Sequence, residues 1–156
     1  MAIIAAGLLM CRNENNELQF FLVHPGGPFY ATKNEGVWSI PKGLPENDEE
    51  ILQTAQREFF EETGIKAKAP FYPLGSIKQK SGKIVHAWSF NGEWDSDQGI
   101  TSNIFKMEWP PRSKKFIDIP EVDRAAWMNY HDAVKMIHPH QIPFLTKAKE
   151  IYESES

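Results

Sequence analysis

Residues 43–65 read GLPENDEEILQTAQREFFEETGI, and the acids near the end of this run constrain the fold more than any other feature of the chain. Glu58, Glu61 and Glu62 fall within five consecutive positions. On a helix, neighbours three and four apart share a face with Cβ atoms roughly 5–6 Å apart, which sets Glu58 beside both of the others. Three carboxylates this close repel, and without a partner their pKa values rise. A hard divalent cation such as Mg²⁺ or Mn²⁺ removes the conflict, because such ions prefer carboxylate oxygen. The competing reading is a solvated acidic face, which is the ordinary fate of a glutamate-rich helix.

Local signals predict a helix over 48–63. Asn47 and Asp48 are good N-cap residues, and Glu50 stands three after Asn47 as in a capping box. Gly64 is placed to end the helix in a left-handed conformation. At about 100° per residue, Ile51, Leu52, Ala55 and Phe59 form one apolar stripe. Glu62 falls in line with Ala55, Glu58 borders the stripe, and Glu61 lies further round. A solvated acidic face would lie opposite the apolar one, so this placement favours a site lining a cleft. Arg57 lies nearly opposite the stripe and is read as orienting a glutamate. Glu49 faces elsewhere on a straight helix and reaches Arg57 only if the first turn is irregular.

The fixed identities Gly43, Glu49, Arg57, Glu58, Glu61, Glu62 and Gly64 recur by chance on the order of once in a hundred million starts at ordinary residue frequencies. At these residues the chain resembles the Nudix hydrolases, whose signature is Gly-x5-Glu-x7-Arg-Glu-U-x-Glu-Glu-x-Gly-U, with U a bulky aliphatic residue. Phe59, large and apolar, stands at the first U position as the one departure. The approach to the signature, Trp38-Ser39-Ile40-Pro41-Lys42-Gly43, is similar to that of Nudix branches acting on dinucleoside polyphosphates and related highly phosphorylated compounds. Pro41 stiffens this approach, Gly43 is read as permitting a tight turn, and Lys42 brings a cation to the acidic helix.

The resemblance implies hydrolysis of a nucleoside diphosphate linked to another group: water attacks phosphorus and the pyrophosphate link is cut. Metal ions screen the phosphate charge, orient the phosphates and lower the pKa of bound water. It implies Glu58, Glu61 and Glu62 as metal ligands and catalytic acids, with Arg57 in support. Which carboxylate acts as base varies within the family and stays open. Residues 120–127, PEVDRAAW, resemble the later Nudix segment in which an acid precedes a tryptophan-bearing strand, and Glu121 has the matching offset for a further ligand or the base. A solvated loop acid is the alternative for Glu121. Positions 80–83 are Lys-Ser-Gly-Lys, without the proline or tyrosine that marks some substrate branches.

Composition narrows the class. The chain has 156 residues, 41% apolar and 24% charged, and is read as a single Nudix hydrolase domain over 1–156. A net charge of −4 argues against broad nucleic-acid binding and leaves room for a local basic pocket. The single Cys11 excludes an internal disulfide and fits a reducing compartment. The N-terminal MAIIAAGLLMCR has no basic residue before its apolar run, and that run is too short to span a bilayer, so it is read as a buried strand. No membrane association and a cytoplasmic location are the expectation.

Strands are expected at 2–11, 17–24, 71–79, 83–90, 102–109 and 125–129, with a hairpin turn at Ser81-Gly82 and helices at 130–137 and 141–152. A Gly-, Pro- and aromatic-rich loop spans 25–37. Strands on either side of a central helix, with helices at the end, make an α/β chain with a mixed sheet covered by helices, and the resemblance implies an α/β/α sandwich.

Lys42 and Tyr30 are the substrate-binding candidates. Phe29, Trp38 and Trp88 share with Tyr30 the ability to stack on a base, although strand-edge aromatics commonly serve the core. Lys78, Lys80 and Lys83, and Arg112, Lys114 and Lys115, are read as solvated loop charge with phosphate contact as the alternative. The five histidines are read as structural or exposed. The function expected is a metal-dependent pyrophosphohydrolase acting on a nucleoside triphosphate or a dinucleoside polyphosphate. A non-catalytic Nudix-fold nucleotide sensor is the second reading, and a general metal-binding or interaction domain the third. Degenerate signature acids would favour the sensor, and none is degenerate here.

Overall fold

Two strands of unbroken apolar sequence form the middle of the protein, because both of their faces are covered. The computed structural model of the protein describes residues 3–154, so residue 2 of the expected first strand and both ends of the 1–156 span lie outside the described residues. Strand β1 (Ile4–Glu14) pairs antiparallel with β2 (Glu17–Pro25) through a tight turn at Asn15 and Asn16. Both asparagines take positive φ, 53° and 63°, as a two-residue hairpin turn requires. A two-residue strand β3 (Lys42–Gly43) lies antiparallel against β1. Then come helix α1 (Ile51–Thr63) and the hairpin β4 (Tyr72–Lys78) and β5 (Ile84–Asn91). A second hairpin, β6 (Ile104–Glu108) and β7 (Phe116–Pro120), stands apart from the main sheet. Strand β8 (Val122–Asn129) returns to it, followed by α2 (Tyr130–Met136) and α3 (Ile142–Ser154).

The main sheet runs β4-β5-β1-β2-β8, with β3 on β1. Only β1 and β5 are parallel, so the sheet is mixed. Alternation along β1 separates two cores. Ala6, Leu8 and Met10 face the α1 layer with Phe21, Ala55, Phe59 and Phe90. Ala5, Leu9 and Cys11 face Phe144, Leu145 and Ala148 of α3, and Ala133 of α2. The result is the three-layered α/β/α arrangement, with α1 on one face and α2 and α3 on the other. No helix among the described residues is long and apolar enough to cross a membrane.

Three local expectations change. The central helix begins at Ile51, not at 48: Asn47 takes φ 49° and caps nothing, and Glu50 occupies the N-cap position without a side-chain cap. The capping box is therefore absent, and Glu49 instead accepts the Thr54 hydroxyl (2.7 Å) and the Glu46 N–H (3.2 Å). Residues 116–120, for which no element is expected, form β7, since Phe116, Ile117 and Ile119 find cross-strand partners in Glu108, Met107 and Phe105. Strand β8 starts at Val122, three residues earlier than expected, because β2 supplies a partner along that whole length. At the other end of α1, Gly64 closes the helix at φ 79°, donating to Phe60 O at 2.7 Å.

Phe59 is fully buried, with ring centroids 5.8 Å from Phe21 and 5.2 Å from Phe90. It fixes α1 against the sheet, and the sheet in turn fixes where the helix acids stand. Phe59→Ala should cost about 3–5 kcal/mol of stability by urea unfolding. A cost under about 1 kcal/mol would show that the helix is held elsewhere.

Candidate metal and phosphate site

The acidic group is assembled from two distant stretches. Ligand-capable oxygens of Glu58, Glu62 and Glu121 all lie within 4.8 Å of one another. Glu58 and Glu62 come from one face of α1, and Glu121 from the link between β7 and β8. The backbone of Glu121 is fixed on both sides: its N–H donates to Asn103 O (2.8 Å) and its carbonyl accepts from Gly26 N–H (3.0 Å). Val122 N–H donates to Ser102 Oγ at 3.0 Å. Glu121 is thus held beside the helix acids by two neighbouring segments, 102–103 and Gly26.

Glu62 is 6% exposed, and its Oε2 is buried with no hydrogen-bond partner among the described residues. Burial, followed by the nearby charges of Glu58 and Glu121, pushes its carboxyl up to about 9, while Lys42 pulls the other way. Glu58 is raised as well, first by burial, with Arg57 opposing. A buried, unpartnered carboxylate oxygen facing two further carboxylates fits a hard divalent cation, which supplies the charge that the site lacks.

Glu61 stands outside this trio. Its Oε2 accepts from Arg57 Nη1 at 3.0 Å, and the same nitrogen donates to Glu58 Oε1 at 2.9 Å. Arg57 is itself anchored by Glu49, with Nε to Oε2 at 2.9 Å and Nη2 to Oε1 at 3.0 Å, and by Leu44 O at 2.9 Å. These bonds hold the Glu49 carboxyl down at about 2. The irregular first turn on which an Arg57–Glu49 pair depends is present, since the helix begins only at Ile51. Arg57 therefore orients Glu58 and Glu61 and is fully occupied in doing so.

Gly43 has a different role from the tight turn expected of it. It sits in β3 without positive φ, and a Cβ there would stand 2.1 Å from Glu58 Cδ. The glycine is the floor on which the Glu58 carboxylate lies. Gly7 does the same for β3 itself, where a Cβ would meet Pro41 O at 2.6 Å and Lys42 Cβ at 2.7 Å.

Lys42, Glu62 and Glu121 line a cleft of about 210 Å³ together with Pro25, Val37 and Ser39. Burial, then the charge of Lys83, lowers the Lys42 pKa, against the pull of Glu62, Glu58 and Glu121. Of the loop cations, Lys83 thus acts on the site, whereas Lys78, Lys80, Arg112, Lys114 and Lys115 are exposed. Tyr30 does not line the cleft; it packs edge-on against Phe29, with ring centroids 4.9 Å apart. Trp38 is a core residue at 6% exposure, and Trp88 packs against the α1-side core. Two larger depressions, of about 570 and 520 Å³, surround Arg12 towards the other end of β1 and hold no such convergence of acids.

Two positioning residues escape sequence reasoning. Gln141, 2% exposed, accepts from Ile40 N–H at 3.0 Å and bonds the Ser39 hydroxyl, which clamps the approach to Lys42. Asp123 bonds His24, a buried histidine. Their partners lie about a hundred residues away, so no local spacing announces them.

A family model described as NUDIX domain matches residues 1–148, and the chain belongs to the Nudix family. It is 48% identical over 48 residues to mouse Nucleoside diphosphate-linked moiety X motif 6, a match covering 31% of the chain and 15% of that protein. It is 31% identical over 108 residues to mRNA-decapping protein g5R of African swine fever virus, covering 67% of the chain and 42% of the relative. The chain thus spans less than half the length of these curated relatives. Among solved structures, the Ap4A hydrolase binary complex of C. elegans aligns with a TM-score of 0.68 at 21% identity, over 96% of the chain and 98% of its own. The NUDIX domain of Shewanella oneidensis NrtR, complexed with ADP ribose, aligns at 0.66 and 16% identity, over 97% and 89%. These likenesses establish the fold.

The raised Glu62 carboxyl has a definite sign. Between its ordinary value of 4.5 and about 9, the folded state holds a proton that the unfolded state has released. Stability of the chelated protein should therefore fall as pH rises through that window, and Glu62→Gln should flatten the fall. Added Mg²⁺ or Mn²⁺ should raise the melting temperature more at pH 8.5 than at pH 5.5. An equal rise at both would refute cation binding by Glu62. Gly43→Ala, which displaces Glu58, should weaken that cation response by roughly 10–100-fold in affinity, read by titration.

Proposed function

We propose that residues 1–156 form one Nudix hydrolase domain, a metal-dependent pyrophosphohydrolase that cleaves a nucleoside diphosphate linked to a further group. The observation that carries this reading is the convergence of Glu58, Glu62 and Glu121 around the unpartnered Glu62 oxygen, with Lys42 on the same cleft. Glu58, Glu62 and Glu121 hold the divalent cation, which when bound screens the charge of the phosphates. Glu61 supports the group through Arg57, its carboxylate free to exchange that bond for a more direct role when substrate enters. Arg57 keeps Glu58 aimed at the cleft. Lys42, partly desolvated, pairs with a phosphate oxygen. A water oxygen forms the new bond to phosphorus as the bridging P–O bond breaks, and a carboxylate of the group takes the proton.

The substrate class proposed is a nucleoside triphosphate or a dinucleoside polyphosphate, supported by the 38–43 approach and by the cation at Lys42. The names of the mRNA-decapping relative and of the Ap4A hydrolase that shares the fold are in keeping with this class. A location in the cytoplasm is part of the same proposal. A sensor that binds without cleaving would tolerate loss of a signature acid, and this chain keeps all of them.

A panel of nucleoside triphosphates, diadenosine polyphosphates, ADP-ribose and NADH, assayed with Mg²⁺, with Mn²⁺ and with EDTA, tests the proposal. Cation-dependent release from one class is expected. Glu62→Gln should lower turnover by roughly 10²-fold or more while the circular dichroism spectrum stays unchanged. Wild-type rates in that variant would remove Glu62 from the chemistry, and tight binding without turnover in the native protein would mark a sensor.

A further inference from the structure

One buried histidine joins two segments that meet at the cleft. His24, one residue before the end of β2, is fully buried. Its Nδ1 stands 2.8 Å from Asp123 Oδ1 and its Nε2 2.6 Å from the Lys33 carbonyl. The two ring nitrogens thus bridge the Asp123 carboxylate on one side and the Lys33 carbonyl on the other. The strand register explains the contact. His24 pairs with Arg124 but Pro25 pairs with Val122, which leaves Asp123 as the extra residue of a bulge.

Further contacts tie the same segments together. Gly26 N–H donates to Glu121 O at 3.0 Å, and Arg124 Nη2 donates to Asn34 Oδ1 at 2.9 Å. The His24 ring meets Trp38 edge-on at 5.3 Å, and the Arg124 guanidinium lies 5.6 Å from the Trp38 ring. The loop held in this way, 26–37, carries Phe29 (54% exposed), Tyr30 and Lys33. The Lys33 ammonium sits 3.6 Å from the Phe29 ring centroid and 5.9 Å from that of Tyr30. Pro25 and Val37, at the two ends of the loop, line the cleft of Lys42, Glu62 and Glu121.

We propose that His24 is a positioning residue that latches the 26–37 loop to the 121–124 segment and so sets the wall on which the nucleoside of the substrate rests. Phe29, an exposed ring beside the Lys33 ammonium, suits a nucleobase, whose face stacks and whose ring acceptors take N–H donors. The latch also ties that wall to the backbone of Glu121, so base and phosphates are seated in one register. The substrate part of this inference rests on the nucleotide reading above; the latch itself does not.

His24→Phe keeps the volume and the edge contact with Trp38 but removes both ring-nitrogen hydrogen bonds, and His24→Gln restores one. In ligand-free protein, the Lys33 and Val37 amides, bonded to Tyr30 O and Asn34 O, should exchange with deuterium at least about tenfold faster in His24→Phe, with α1 amides unchanged. His24→Gln should fall between the two, and Asp123→Asn should move the same amides if His24→Phe fails to fold. With the substrate found in the panel, KM should rise about tenfold and kcat change by less than about twofold, with the cation-induced melting shift retained. Unchanged loop exchange overturns the latch whatever the enzyme does. Faster loop exchange with an unaltered KM overturns the wall. A wild-type protein that neither binds nor cleaves any nucleotide overturns the substrate reading and leaves the exchange result to judge the latch.

Discussion

Burying the carboxylate of Glu62 within reach of two others is the constraint around which the rest of this structure is arranged. Desolvation disfavours its charge, and Glu58 and Glu121 add repulsion, so the carboxyl holds its proton far above the usual range. Lys42, itself partly desolvated, pulls in the opposite direction. The neighbouring charges are handled one step further out. Arg57 takes Glu58 and Glu61 with one nitrogen, and Glu49 takes Arg57 with two bonds. A chain of oriented side chains thus stabilises every acid of the helix except the one left facing the cleft.

Close approach of backbone makes that arrangement possible. Glycine at 43 lets the Glu58 carboxylate lie on β3, and glycine at 7 lets β3 lie on β1. Behind α1, the rings of Phe21, Phe59, Phe90, Trp94 and Trp127 interlock in edge-to-face and tilted contacts. A layer packed in this way resists the displacement that like charges on its surface would otherwise drive. On the far side, Gln141 reaches the 38–43 approach and His24 reaches the loop above it. Hydrogen bonds thus tie the 38–43 approach and the loop that follows β2 to segments distant in sequence.

Much of this was written locally. The period of Ile51, Leu52, Ala55 and Phe59 announced which face of α1 would be buried, and the position of Glu62 on that face announced a cleft. Gly64 stopped the helix as its lack of a Cβ predicts. Strands on either side of a central helix, with helices at the end, implied a mixed sheet covered by helices. Expectations failed where a local preference met a non-local partner. Asn47 would cap a helix in isolation, but Glu49 is drawn back to Arg57 and the first turn unwinds. Residues 116–120 carry few turn-breaking features of their own and become a strand only because β6 lies alongside.

What the sequence by itself determined was the family resemblance, which implied the three-layered α/β fold, and the identity of the acids on α1, because helix periodicity and fixed spacing act over a few residues. Tertiary structure alone decided which acids converge. It brought Glu121 to Glu58 and Glu62 and turned Glu61 to Arg57. It also set the pairs His24–Asp123 and Gln141–Ile40 across about a hundred residues of chain. The physical reason is that a carboxylate's role follows from its burial and from the charges around it. Those are properties of a neighbourhood assembled from strands, loops and helices far apart in sequence, where no local spacing records the contact.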